Sequence, residues 1–379
     1  MKSRHAVRSR DLAPVRLLLR IKPNVIFLVS LWMVATGYVA THPATVPVWE
    51  RDFINYWLAP RALWAGINPY DVRAFSDFGL AYFPNAEILQ FNFTYPPHSL
   101  FLFAPFGLLP PDAAFVVWDA VSLGAFCLAA RPLLPKGIPA FVAVLSPATL
   151  ICLEFGQTGL ISSALFLVAA RGSGLAAACL TFKPHVGFLV APALLLRSRM
   201  EFLTAALCTV VLVVLSAVLF GRWADFLDHA VSYQGNLLSQ GSRNIWYITG
   251  MTPMIGYGLK GLLIYGIVAA IVLSRNFNVF TAATATFLIS PYGFHYDMSA
   301  ACLGFAVLLY SYWKDLPLWQ KGVAGLAFLS PIIVSYGAWW IPPILLLGLF
   351  VQTQCFPGVQ LTWRSGRPAI VPVNPLAPA

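Results

Sequence analysis

Apolar runs recur along this chain, and polar residues gather in the short intervals between them. A helix of about 17–25 apolar residues crosses a hydrocarbon core of about 30 Å. The run at 24–40 predicts a first spanning helix, followed by a stretch to about 97 rich in Tyr, Trp, Pro and Asn. Residues 99–109 are apolar but stop at Pro110-Pro111. About eleven helical residues reach only about 16 Å, so a re-entrant or surface helix is expected there. Spans are predicted at 112–130, 137–153 and 156–170. The stretch 173–197 is interrupted by Lys183-Pro184-His185. Proline removes a backbone donor and kinks a helix, so two short arms meeting at that tripeptide are expected. Spans at 202–220, 251–273, 277–290 and 298–313 follow, with a last pair between about 318 and 351.

Charge orients this ladder. Lys2, Arg4, Arg8, Arg10, Arg16, Arg20 and Lys22 precede the first run, and Lys and Arg accumulate in cytoplasmic segments. Residues 1–23 are therefore read as a cytoplasmic arm. The loop 41–111 becomes the first external loop and 221–249 the second. Residues 353–379 form a Pro-rich cytoplasmic tail, expected to lack fixed structure. Residues 24–352 then make one all-α, polytopic bundle with about twelve crossings, two of them short. The first run lacks a small-residue cleavage site and is read as an anchor, not a removed signal.

Composition agrees. The chain has 379 residues, 59% hydrophobic and 10% charged, with a mean hydropathy of +0.75. A soluble domain carries about 25% charged residues. The net charge of +10 follows from basic cytoplasmic loops, so a nucleic-acid partner is not expected. The six cysteines form no Cys-x-x-Cys pair and lie mostly in apolar runs. They indicate neither a metal site nor a disulfide framework.

On this topology the ionisable residues converge. His42, His98, His185, His229, His295, Asp52, Glu154, Asp225, Asp228, Asp297, Lys183 and Arg243 all fall on or near the outer face. Ionisable groups at membrane depth are costly and mark sites. A lipid or sugar transporter also fits a bundle with broken helices and buried charge, but such proteins commonly show internal repeats, and none is evident.

The external loop reads Asp52-Phe53-Ile54-Asn55-Tyr56-Trp57, then Arg61-Ala62-Leu63-Trp64-Ala65-Gly66-Ile67-Asn68-Pro69-Tyr70. Phe93-Thr94-Tyr95-Pro96-Pro97, Gly156-Gln157, Phe182-Lys183-Pro184 and Ser290-Pro291-Tyr292 follow in order. Across about residues 45–300 this set resembles glycosyltransferase family 87, the polyprenyl-phosphate-mannose-dependent α-mannosyltransferases of the GT-C superfamily. The resemblance implies a GT-C bundle with short surface helices in the first external loop. It implies a lipid-phosphate sugar donor, mannose by family precedent, and an inverting transfer to an envelope glycolipid or polysaccharide. It also implies a bacterial inner (plasma) membrane with the active site on the extracytoplasmic side. The acidic residue of the first external loop is the superfamily's base, a role that falls on Asp52. The family's histidine between two late spans is matched by His295.

The residue types suit that chemistry. Asp52 would take the proton of an acceptor hydroxyl, and a phosphate leaving group needs no second carboxylate, unlike a glycosidase. An Asp ahead of Phe53 equally suits the N-cap of a helix. Lys183 and His185 flank a helix break, where cations could meet the leaving phosphate. His295 and Arg243 are further candidates for the phosphate; arginine pairs well with it. Glu154, Gln157, Asp297, Tyr56 and Tyr95 are candidates for sugar or acceptor hydroxyls. Gly156 and Gly159 suit close helix packing. No Asp-x-Asp pair or phosphate-cradling glycine loop appears, which disfavours a nucleotide-sugar donor. A divalent metal could bind through Asp52, but no spacing requires one, and no cofactor is called for.

Overall fold

The computed structural model describes residues 22–42, 46–86, 91–240, 245–246, 268, 277–290, 293–337, 340–356, 359–364 and 367–372. The expected 251–273 span lies outside them apart from Val268.

Helix α1 (Pro23–Thr41) opens on a proline at its first turn, where the missing N–H costs nothing. Asn24, buried, donates its amide to Tyr310 O at 2.8 Å and so ties the start of α1 to a late helix. The segment after α1 holds α2 (Phe53–Trp64) and α3 (Val72–Tyr82). Asp71 caps α3 by accepting from the Arg73 and Ala74 amides. The stretch expected to be re-entrant or superficial is α4 (Leu100–Gly107), eight residues long. It packs on α2 where Gly107 meets Pro60. Trp57 Nε1 donates to Leu109 O at 2.8 Å and holds the junction into α5 (Pro111–Ala130).

Two hydrophobic cores result. An aromatic one joins Phe53, Tyr56, Trp57, Phe103 and Trp118, so the loop after α1 is packed rather than draped. The larger one runs through the later helices.

The predicted span 137–153 is a correction. It is two short helices, α6 (Ala140–Val144) and α7 (Pro147–Phe155). Pro147 lacks a backbone donor and holds Ser146 extended, and Ser146 then caps α7 through the Thr149 amide. Apolar continuity hid that break. The next span also begins later than expected. Gly156 closes α7 at φ +63°, and α8 (Gly159–Ala169) starts three residues on. The break at Lys183-Pro184-His185 is present: α9 (Gly174–Leu180), one short turn at Pro184–Gly187, then α10 (Val190–Arg197).

Helices α11 (Arg199–Leu219) and α12 (Trp223–Gln240) follow, then strand β1 (Ile245–Trp246). Helix α13 (Val279–Ile289) leads to β2 (Gly293–Phe294), which pairs antiparallel with β1, Ile245 opposite Phe294. Helices α14 (Ser299–Ser311), α15 (Leu318–Ile333) and α16 (Ile341–Cys355) complete the bundle. The tail, expected to lack structure, instead pairs β3 (Val359–Arg364) with β4 (Arg367–Pro372) as a hairpin. Alternating Val359, Leu361, Trp363 and then Ala369-Ile370-Val371 supply the strand-forming residues that its prolines obscured.

Among the described residues four helices are long and apolar enough to cross a membrane: Pro23–Thr41, Pro111–Leu133, Arg199–Leu219 and Leu318–Tyr336. Shorter apolar helices, including Gly159–Ala169 and Ser299–Ser311, pack among them. The chain is a helical integral membrane protein.

Candidate active site

Asp52 stands at the entry to α2 with helical backbone angles, and its side chain caps nothing. Its carboxylate instead accepts a hydrogen bond from Gln157 Nε2 onto Oδ2, at 2.5 Å. Among the described residues Oδ1 accepts none. Asp52 is exposed to solvent, yet enough protein packs around it to desolvate its carboxylate in part. That crowding pushes its carboxyl above the ordinary carboxylate range, while the Gln157 bond and the charge of Lys183 pull it back. Water at the exposed residue moderates that shift.

Gln157 is buried between two partners. Its Oε1 accepts from Tyr56 OH at 2.8 Å. Tyr56 reaches the Tyr95 hydroxyl at 3.5 Å, and Tyr95 OH meets Thr158 Oγ1 at 2.7 Å. Lys183 Nζ donates to that same Thr158 oxygen at 3.0 Å and to Asp297 Oδ1 at 2.6 Å. His185 Nε2 lies 3.6 Å from Asp297 Oδ2. Lys183, His185 and Asp297 are all buried. The proline break turns the chain so that Lys183 and His185 reach the same carboxylate from one short turn.

Backbone geometry explains this convergence. The segment His295–Asp297 forms one short turn ahead of α14. The start of α8 packs directly against it, since a Cβ on Gly159 would lie 2.1 Å from Tyr296 O. Ser163 Oγ donates to Asp297 O at 3.4 Å and accepts from the Ala300 amide at 3.3 Å. Gly156 fulfils a second need: beyond its positive φ, a Cβ there would lie 2.6 Å from Phe53 Cβ. The glycines expected to permit close packing do so. Gly159→Ala should therefore force α8 away from the 295–297 turn and separate Lys183 from Asp297. The expected outcome is a sharply reduced yield of monodisperse protein in size-exclusion chromatography; a wild-type profile and thermal midpoint would contradict the close approach.

The remaining sequence candidates divide. Asn55, one turn on from Asp52, accepts the Asn92 amide at 2.8 Å and fixes the strand-like segment leading to Tyr95. Arg51 NH1 donates to the backbone oxygen of Glu154 at 2.8 Å, so Glu154 anchors the loop through its main chain. His295 is buried, with its ring 5.3 Å from that of Tyr296. His98 stacks on Trp223 and meets Thr181 Oγ1 at 3.2 Å. Burial pushes its imidazole down to about 4, so it stays neutral and structural. His42 stacks on Tyr38 at the end of α1, 4.4 Å between centroids. Arg243 lies outside the described residues. Among the described residues no three His, Cys, Asp or Glu side chains converge as a metal site would require.

Sequence reasoning missed Thr158, which joins Tyr95 to Lys183, and Asp119, half-buried within the 111–133 span. A threonine gives no signal by itself. Asp119 did: an acid inside an apolar run is costly enough to mark.

The fold and site define a helical membrane protein with a solvent-exposed carboxylate and, linked to it through side-chain hydrogen bonds, a buried charge cluster. The chain belongs to glycosyltransferase family 87, whose family model matches residues 93–311. Comparison with curated proteins and with solved structures finds no match. Family membership makes the chain a membrane glycosyltransferase, acting between a sugar donor and an acceptor.

Proposed function

We propose that the chain transfers a sugar, mannose by family precedent, from a polyprenyl-phosphate donor to a hydroxyl of an envelope glycolipid or polysaccharide. The site faces the extracytoplasmic side of the bacterial inner membrane. The observation that carries the reading is the Asp52 carboxylate, on a solvent-exposed residue, with Oδ2 held by Gln157. Oδ1 accepts the proton of the acceptor hydroxyl as that oxygen bonds to the anomeric carbon. The bond from that carbon to the phosphate oxygen breaks, and the lipid phosphate leaves with the electron pair. Attack opposite the leaving group inverts the anomeric centre. Cations near a departing phosphate stabilise its charge. Arg243 is assigned that role as a cation, and His185 and His295 as hydrogen-bond donors to the phosphate; Lys183 contributes at longer range, since its Nζ already meets Asp297 and Thr158. Glu154 and Tyr95 are assigned to sugar or acceptor hydroxyls.

The test is transfer of label from a radiolabelled polyprenyl-phosphate mannose in membranes carrying the protein. Label on an acceptor supports the reading. Label that only crosses the bilayer overturns it in favour of a transporter.

The pH profile is a second check. Asp52 works ionised, and crowding raises its carboxyl. Transfer should therefore rise with pH through that raised value and fall away below it. The acid limb of kcat is expected above the ordinary carboxylate range; a profile flat from pH 4 to 8 would contradict a crowded carboxylate base.

A further inference from the structure

We infer that Gln157, aligned by Tyr56, is a positioning residue that aims the Asp52 carboxylate. The inference rests on the reading of Asp52 as the base.

The carboxylate end fixes the direction of the two bonds nearest it. A lysine ammonium has only protons to give, and an ionised carboxylate only lone pairs to receive. Lys183 Nζ donates to Thr158 Oγ1. Tyr56 OH donates to Gln157 Oε1 (2.8 Å), and behind it the Tyr56, Tyr95 and Thr158 hydroxyls lie in sequence, 3.5 and 2.7 Å apart. Only with its oxygen turned to Tyr56 does the Gln157 amide present N–H to Asp52. An amide is symmetric in shape, and its partners decide which end points where. Without the Tyr56 proton the amide keeps only one of the two contacts that hold it in this orientation. Burial pushes the Tyr56 phenol well above its ordinary range, so it keeps its proton.

This gives Gln157 work that a sugar contact does not require. It is 3% exposed, with both ends of its amide occupied. A carboxylate held by one oxygen can rotate only about that contact, and its free oxygen keeps one heading. Productive proton transfer demands such a fixed heading within hydrogen-bond reach.

The titratable groups on the surrounding elements stay in place when Tyr56 loses only its hydroxyl. They are Arg51 on the same loop, Tyr95, Asp119 on α5, Glu154 after α7, Lys183 and His185 at the helix break, and His295, Tyr296 and Asp297 ahead of α14. Tyr56→Phe also keeps the ring stacked on Phe103 at 5.0 Å and tilted against Trp118.

The experiment compares wild type, Tyr56→Phe, Gln157→Met and the double variant, using radiolabelled polyprenyl-phosphate mannose as donor and native membranes as acceptor. Carbodiimide labelling of Asp52, read by mass spectrometry across pH, follows the carboxyl without relying on turnover. The expected result is a fall in kcat of about ten- to a hundredfold in each single variant, the scale of one hydrogen bond to a charged group, with KM for the donor unchanged. The labelling midpoint moves to higher pH in both. The double variant is no worse than Gln157→Met, since both act through one bond. Wild-type labelling midpoints, or additive losses, would overturn the inference. If Asp52→Asn retains full activity while the midpoints still move, the positioning chain stands and the assignment of the base falls.

Discussion

Asp52→Asn is expected to lose transfer by about 10²–10⁴-fold, the usual contribution of a positioned general base, while folding like the wild type. Asparagine keeps the size of the side chain, and its oxygen can still accept from Gln157. It cannot take a proton. The substitution removes no helix cap, because the carboxylate caps nothing in α2. Had Asp52 served as a cap, asparagine would have replaced it almost without cost, and activity would persist. Turnover of labelled donor and the thermal midpoint in detergent check both halves together. Activity near wild type would remove the base from the mechanism; a collapsed midpoint would make the residue structural after all.

Lys183→Met should be the most destabilising single change in the site. It leaves Asp297, fully enclosed, with its nearest cation gone. Removing one partner of a buried ion pair costs about 3–5 kcal/mol, whereas replacing both partners by apolar residues is often neutral. Lys183→Met with Asp297→Leu should therefore recover much of the lost stability without recovering transfer. A double variant as unstable as the sum of the singles would mean the pair is not coupled. Acid supplies a parallel test. Burial pushes the Asp297 carboxyl up, but Lys183 and then His185 more than offset it, and the group ends below its ordinary value. Its folded pKa is thus lower than its unfolded one. The stabilisation is present above the unfolded value and is lost as pH falls through the folded one. Wild type should lose midpoint across that window, and Asp297→Asn should lack that component when the two curves are subtracted.

Much of the architecture was legible because a bilayer allows few solutions. Apolar length located α1, α5, α11 and the last helical pair to within a few residues. Proline chemistry revealed the break at Lys183-Pro184-His185 and the stop at Pro110-Pro111. The same chemistry at Ser146-Pro147 went unread, since unbroken apolar composition on both sides outweighed one proline. Asp52 was found through its ordered neighbours, which resemble a known family. Its alternative as a helix cap could be settled only by seeing where the carboxylate points. Gln157 was placed in the site by sequence, though as a sugar contact, and Thr158 was not noticed.

The amino-acid order alone determined that this chain inhabits a membrane, that a long polar and aromatic loop follows the first span, and that most of its ionisable residues lie between the apolar runs. Those facts come from transfer energies, which each segment carries wherever it folds. Tertiary structure alone decided that Gln157 turns its amide to a carboxylate 105 positions away, and that Lys183 and Asp297, 114 apart, share one enclosed pair. Hydrogen bonds act over about 3 Å, so their partners exist only once α8, the helix break and the 295–297 turn are packed against one another.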